Sequence, residues 1–253
     1  MSFSDQFAFQ HSASTTAALI YILETTTTLL ETSPYVVVLA LGFSKAFDSV
    51  RPATVQDKFS RLNIPDNIYN WVESFFRDHS HCTRFGDKVS TLKTISASTV
   101  QGSVVGPVSY VITASDLHPV SQTNLISKYA DDTYLIIPAM NIHWCSSELS
   151  NIDNWASKND LQLNRARSAE IIFVRPRSKG SLYEPPPVIS GFTRVQSIKM
   201  LGVTFSRKFS VLQHVDELLA ACSQSLFALR TLRQHGLSDD PLHAVFQAIV
   251  INV

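Results

Sequence analysis

"KYADDTYLII", residues 128–137, is the stretch on which the fold turns. Asp131 and Asp132 stand side by side among apolar, β-branched and aromatic residues that would otherwise make a buried strand. Burying one carboxylate is costly, and burying two adjacent ones without a cation costs more. The bland explanation for such a pair is a solvated turn. Asp239-Asp240 reads that way, as a loop and helix start. Around Asp131-Asp132 no Gly, Asn or Pro marks a turn, and the apolar pattern predicts strands over "LISKYADDTYLII", residues 125–137. A tight hairpin then holds both acids at its tip, facing a shared cation. Hard divalent ions such as Mg²⁺ take a few carboxylates plus substrate phosphates. Two of them about 4 Å apart clamp the attacking and leaving oxygens of a phosphoryl transfer. That chemistry needs at least one more carboxylate, from another strand.

The bulk composition sets limits. With 253 residues, 45% of them hydrophobic, the chain can bury a sizeable core as one large domain or a domain with a subdomain. Its longest apolar run, "YVVVLALGF" at 35–43, is too short to span a bilayer, and "MSFSDQFAFQ" lacks the pattern of a signal peptide. Cys82, Cys145 and Cys222 are widely spaced and odd in number, so a reducing intracellular compartment (cytoplasm or nucleus) is expected. The net charge of zero speaks against a nucleic-acid partner, but its distribution does not. Between residues 165 and 208, Arg165, Arg167, Arg175, Arg177, Lys179, Arg194, Lys199, Arg207 and Lys208 face only Glu170 and Glu184. Such a segment can track a phosphate backbone, or be an ordinary solvated face.

Along the chain, residues 14–31 read as a helix with a weak "TTTT" middle, and 35–43 as a buried strand. Residues 66–77 read as a helix capped by Asp66, with Ile68, Trp71, Val72, Phe75 and Phe76 on one face. Weak strands flank a turn at Gly86-Asp87, and a helix is expected after Pro107. A helix follows over roughly 141–159, then a strand at 169–174, a Pro-rich connection, and a strand pair over 195–205 bent at Gly202. The end is helical, with Val211, Val215, Leu218, Cys222, Leu226 and Leu229 as an apolar stripe. Gly236 and Pro241 separate it from a last helix. This order predicts an α+β fold.

Five motifs occur in order: "GFSKAFDSV" at 42–50, "QGSVVGP" at 101–107, "YADD" at 129–132, "LQLNRARSAEIIF" at 161–173 and "LGV" at 201–203. Together they resemble the reverse transcriptase of LINE-type, non-LTR, jockey-like retrotransposons, over nearly the whole chain. The resemblance implies a right-hand polymerase palm. Residues 1–34 would be a partial fingers segment, 35–205 the palm with inserted fingers elements, and 206–253 a truncated helical thumb. It implies Mg²⁺ or Mn²⁺ as cofactor, and RNA template, DNA primer and dNTP as partners. Asp131 would be a catalytic metal ligand with Asp132 beside it. Phe47 would lie under the incoming sugar. Gln101, Gly102 and Ser103 would contact the template and nascent pair, Arg167 would stand near the pyrophosphate, and Leu201-Gly202 would belong to the primer grip. Each has a plainer reading too, Phe47 as core and Arg167 as a solvated cation.

The departures from the family matter as much. The strand that reads "LDFSKAFD" in the family reads "LGFSKAFD" here, so Gly42 stands where the family has a metal-binding Asp. Asp48 lies six residues on, past a turn. The basic "FR-GRS" segment is "FQHSAS" at 9–14, without arginine at Gln10 and Ala13. Gly42 also has a structural explanation, a strand glycine where another backbone comes close. Three functions follow: an RNA-directed DNA polymerase domain impaired or inactive in this copy, a catalytically dead nucleic-acid-binding remnant, or an interaction domain reusing the palm. The oligomeric state is not legible.

Overall fold

The computed structural model describes residues 3–78, 80–95, 97, 103–175 and 184–251. Gln101, Gly102, Arg177 and Lys179 lie outside them. The chain divides into two compact units, Met1–Gln196 and Ser197–Val253.

The first unit runs α1 (Thr15–Thr32), β1 (Tyr35–Leu41), β2 (Phe43–Ser44), α2 (Pro52–Ser60), α3 (Asp66–Phe76), four short strands β3 (Ser80–His81), β4 (Arg84–Phe85), β5 (Lys88–Val89) and β6 (Lys93–Thr94), then α4 (Val105–Thr113). It continues with β7 (Leu125–Tyr129), β8 (Asp132–Pro138), α5 (Cys145–Lys158), β9 (Gln162–Leu163), β10 (Ala169–Val174) and β11 (Thr193–Val195). Five strands form one sheet in the order β11-β10-β1-β8-β7. Its centre is antiparallel, with Leu39 opposite Glu170 on one side and Leu135 on the other, and only β10–β11 is parallel.

The central strand "YVVVLAL" is apolar throughout because both its faces are covered. Val37, Leu39 and Leu41 pack with Leu135, Ile137 and Ile172 against Val55, Phe59, Tyr110, Ile152 and Trp155, from α2, α4 and α5. α1 packs on β1, β7 and β8 and buries Ala18, Ile22, Thr26 and Leu30, one residue per turn. Its threonine run is tolerated because the Thr26 and Thr27 hydroxyls donate back to the carbonyls of Ile22 and Leu23. Polar groups in the core are paired. Glu148, fully buried on α5, accepts from the backbone N–H of Val120 and Ser121 and from Asn124 Nδ2, and so fixes the loop entering β7. Lys58 bonds Asp116 at 2.7 Å, and Asp116 also accepts from Trp155 Nε1, which ties α2 to α5.

Several boundaries differ from the sequence reading. Pro65, not Asp66, precedes the first residue of α3, and Ile68 and Trp71 on its apolar face are exposed. α4 starts at Val105 rather than after Pro107, because a proline is accommodated in a first turn and the Ser103 hydroxyl accepts from the Gly106 N–H. α5 starts at Cys145, the residues before it forming a tighter 3₁₀ turn.

In the second unit β12 (Ser197–Met200) and β13 (Val203–Ser206) form a hairpin, followed by α6 (Leu212–Gln234) and α7 (Asp239–Phe246). The sequence division grouped 197–205 with the palm; here β12 and β13 pair with each other, and β13 packs on α6. Residues 201–202 form a two-residue turn with positive φ at both positions, Leu201 at 46° and Gly202 at 95°, rather than a bent strand. The apolar stripe of α6 is left partly or fully exposed along its whole length. Pro241 lies within the first turn of α7, not before it, where its missing N–H costs nothing.

Candidate active site

The β7–β8 hairpin closes on the pair Tyr129–Asp132, leaving Ala130 and Asp131 as its loop. Both acids are therefore at the tip, as the sequence implied, with Asp131 half-buried and Asp132 exposed. Ala130 has φ 54° in the position where two-residue hairpin loops favour glycine. Although Asp132 keeps an exposed edge, partial burial of its carboxyl raises its pKa, and the Asp131 charge adds to the rise. Tyr110 of α4 is buried beside them, and its phenol is pushed above the ordinary range first by burial, then by the Asp131 and Asp132 charges. The Phe47 ring packs on Tyr110 at 4.9 Å between centroids. The fold thus gathers Phe47, Tyr110, Asp131 and Asp132, which are far apart in sequence. Tyr110 was missed by the sequence reading; a phenol in the apolar run "VVGPVSYVI" is its only signal.

Gly42 leaves β1 just past the pair Leu41–Thr133. The register continues to Asp132 one step past Leu41–Thr133 on one side, and to Arg167 two steps past Ala40–Ala169 on the other. Its N–H donates to Ser168 Oγ at 3.1 Å and its carbonyl accepts from Asn164 N at 2.8 Å. A Cβ at residue 42 would lie 3.2 Å from Arg167 Cβ and 3.3 Å from the Arg167 carbonyl oxygen. The close-approach explanation for glycine is therefore satisfied, and the position also carries no carboxylate.

Three cations of the basic segment are committed to the fold. Arg165 pairs with Asp153 at 2.7 Å and donates to Ser190 O. Arg194 pairs with the fully buried Glu170 at 2.6 Å and donates to Pro186 and Pro187 carbonyls. Arg175 donates to the carbonyls of Leu30 and Glu31 at the end of α1. Arg167 is exposed and has no ion pair among the described residues. The cation next to the acids in sequence, Lys128, points elsewhere: its buried ammonium donates to Ala114 O, Leu117 O and Asp5.

Ser103, half-exposed, caps α4. Gln101 and Gly102 fall outside the described residues. Leu201 and Gly202 belong to the second unit. At Gly202 a Cβ would meet nothing within 4 Å, so the glycine there answers to φ alone.

A pair of divalent ions does not fit the residues present. Among the described residues no cluster of three or more His, Cys, Asp or Glu side chains could hold a metal. Asp131 and Asp132 form one carboxylate pair, and Gly42 adds none. No helix among the described residues is long and apolar enough to cross a membrane.

A mostly antiparallel sheet carrying an acidic hairpin where β7 turns into β8, with helices packed on both faces, is the palm of a nucleic-acid polymerase. The reverse transcriptase (RNA-dependent DNA polymerase) family profile matches residues 2–205, and the chain belongs to that family. It is 28% identical over 229 residues to the RNA-directed DNA polymerase from mobile element jockey of Drosophila melanogaster, covering 85% of this chain and 24% of that protein. The probable RNA-directed DNA polymerase from transposon X-element of the same organism is 25% identical, covering 84% and 24%. The chain thus spans about a quarter of the length of these relatives. Among solved structures, telomerase from Candida tropicalis, determined with a fragment of telomeric RNA, superposes with a TM-score of 0.59 at 12% identity, covering 82% of this chain and 33% of that one. Telomerase from Candida albicans gives 0.57 at 13% identity, with 83% and 35% covered. Reverse transcriptases as a family use divalent metal ions.

Proposed function

We propose that the chain is the reverse transcriptase domain of a jockey-like non-LTR retrotransposon, and that this copy is impaired in RNA-templated DNA synthesis or lacks it. The observation that carries the reading is Gly42. It occupies the end of β1 between Asp132 and Arg167, where nucleotidyl transfer needs a carboxylate from a second strand, and it offers only backbone. What the remaining side chains do follows from their chemistry. Asp131 and Asp132 hold negative charge at the hairpin tip. Phe47, backed by Tyr110, gives a flat apolar floor of the kind on which an incoming sugar rests. Arg167, unpaired among the described residues, offers a cation to a departing pyrophosphate. Gln101, Gly102 and Ser103 would contact the template and nascent pair, and Leu201-Gly202 the primer. Mg²⁺ or Mn²⁺ would bind weakly for want of the third carboxylate. The sites of action of such a protein, the cytoplasm and nucleus, suit its three free cysteines.

The test is primer extension on poly(A)/oligo(dT) with Mg²⁺ and with Mn²⁺, run beside binding of the same primer–template. Binding without extension is the expected result. A chain that neither extends nor binds at low salt would belong instead to an interaction domain built on the palm.

A further inference from the structure

The hairpin tip has a feature its own sequence does not explain. Ala130 sits at φ 54°, a left-handed conformation that costs a residue with a side chain about 1–2 kcal/mol relative to the right-handed regions. The two-residue loop itself calls for positive φ, and a buried partner outside the hairpin helps hold an alanine in it. The candidate comes from the far N-terminus. Residues 5–7 run alongside β7 as a short parallel ribbon: Lys128 N donates to Asp5 O at 2.7 Å, and Phe7 N donates to Lys128 O at 2.8 Å. Between those bonds Gln6 turns its side chain inward, and it is only 4% exposed. Its Oε1 accepts from Ala130 N at 3.2 Å and from Ala8 N at 2.9 Å. One buried amide oxygen therefore ties the catalytic hairpin's loop to the N-terminal segment. The tie is reinforced one residue before Gln6 and two before Ala130, where the buried Lys128 ammonium lies 3.1 Å from Asp5 Oδ2.

We propose that Gln6 is a positioning residue for the acidic hairpin. By accepting the Ala130 N–H it holds the left-handed loop residue, and so sets the directions in which Asp131 and Asp132 present their carboxylates. The inference rests on the reading of those two acids as the metal-facing pair. Gln6 touches neither of them and acts only through the backbone of Ala130. Among the described residues, Gln6 Oε1 is the side-chain acceptor of the Ala130 N–H. The buried and unpartnered Nε2 of Gln6 fits this account: the amide is kept for its oxygen although its nitrogen gains no partner.

The test uses the full chain, ¹⁵N-labelled, as parent and as Gln6→Leu. Amide hydrogen exchange is read at Ala130, Asp131 and Ala8, with Val37 and Ile172 of the central sheet as internal controls. Paramagnetic broadening by Mn²⁺ is read at the hairpin amides. Gln6→Leu should speed exchange at Ala130 by about 10- to 100-fold, the factor expected from stranding a buried N–H. The control amides should change by less than about 3-fold, and the Mn²⁺ concentration for half-maximal broadening should rise about tenfold. If Gln6→Leu does not fold, Gln6→Asn, whose oxygen falls one carbon short, gives the same contrast. Exchange at Ala130 that is unchanged, or that moves only in step with Val37 and Ile172, overturns the proposal. So does lost protection with unaltered Mn²⁺ broadening, since Gln6 would then be merely structural. If the parent shows no Mn²⁺ broadening at the hairpin, the metal-facing reading of Asp131 and Asp132 fails, and with it the proposal. Exchange at Ala130 then still reports whether the tie to Gln6 exists, which separates the two failures.

Discussion

Replacing Gly42 tests the proposed function most directly, and two substitutions separate its parts. Gly42→Ala adds only a Cβ, which would meet Arg167 Cβ at 3.2 Å and the Arg167 carbonyl oxygen at 3.3 Å. Those contacts must open by a few tenths of an ångström, at a cost of about 1 kcal/mol, the low end for overpacking. In a chain of this size that lowers the Tm by about 2–4 °C. Gly42→Asp carries the same steric cost and adds a carboxylate beside Asp132, whose own pKa is already raised by burial and by Asp131. Without metal the Asp variant should therefore be less stable than the Ala variant; with Mn²⁺ it should gain, because the three acids then share a cation. A carboxylate worth ~4 kcal/mol in the transition state corresponds to about a thousandfold in rate. Gly42→Asp should recover only part of that, since Gln10 and Ala13 stay unrepaired. The assays are calorimetric Mn²⁺ binding and primer extension on the parent, both variants, and Gly42→Asp with Asp131→Ala. The last should lose the Mn²⁺ gain. Robust extension by the unmodified chain, or equal Mn²⁺ affinity in the Ala and Asp variants, would refute the assignment of position 42.

Asp132→Asn should stabilise the chain at pH 7. The folded state raises this carboxyl's pKa, so ionisation works against folding above the unfolded value, and the gain should fade as pH falls toward the ordinary carboxylate range; thermal melts from pH 7 to pH 4 read it. Lys128→Met should cost ~3–5 kcal/mol, because it leaves the mostly buried Asp5 without its closest cation and removes the ammonium's bonds to the Ala114 and Leu117 carbonyls; urea unfolding with an unchanged midpoint would contradict this. Arg194→Ala should cost a similar amount by leaving Glu170 buried and unpaired, and Arg194→Lys should not restore it, since one ammonium cannot reproduce the guanidinium's fork to Glu170 and two proline carbonyls. Arg167→Ala should lower the salt slope of primer–template binding by about one, whereas a folded Arg165→Ala variant should leave it unchanged, because Arg165 is already paired with Asp153.

Much of the palm was legible along the chain because strand residues report burial directly. "YVVVLAL" is apolar at every position and is the central strand; "AEIIFV" is a strand at the residues expected; and two acids among β-formers implied a hairpin with its tip at Asp131. The motif spacing was enough to identify the family. The helices were less legible where tertiary contacts set their ends, as at Val105 and Cys145, and where an apolar face such as that of Trp71 is left uncovered. The uses of charge were least legible of all. Nine basic residues between 165 and 208 look alike in sequence, yet a buried Glu170, a nearby Asp153 and the carbonyl end of α1 claim three of them for the fold. Lys128 lies three residues before the acidic pair but points away from it, because it shares a face with its cross-strand partner Thr133 while Asp132, next to Thr133, takes the other face. The site's floor joins Phe47 and Tyr110, and its hairpin hangs on Gln6, across separations of 63 and 124 residues. Local sequence fixes which residues want burial and which conformations are cheap. Which distant partner satisfies a given buried charge or N–H is decided only when the strands take their register and bring those groups within reach.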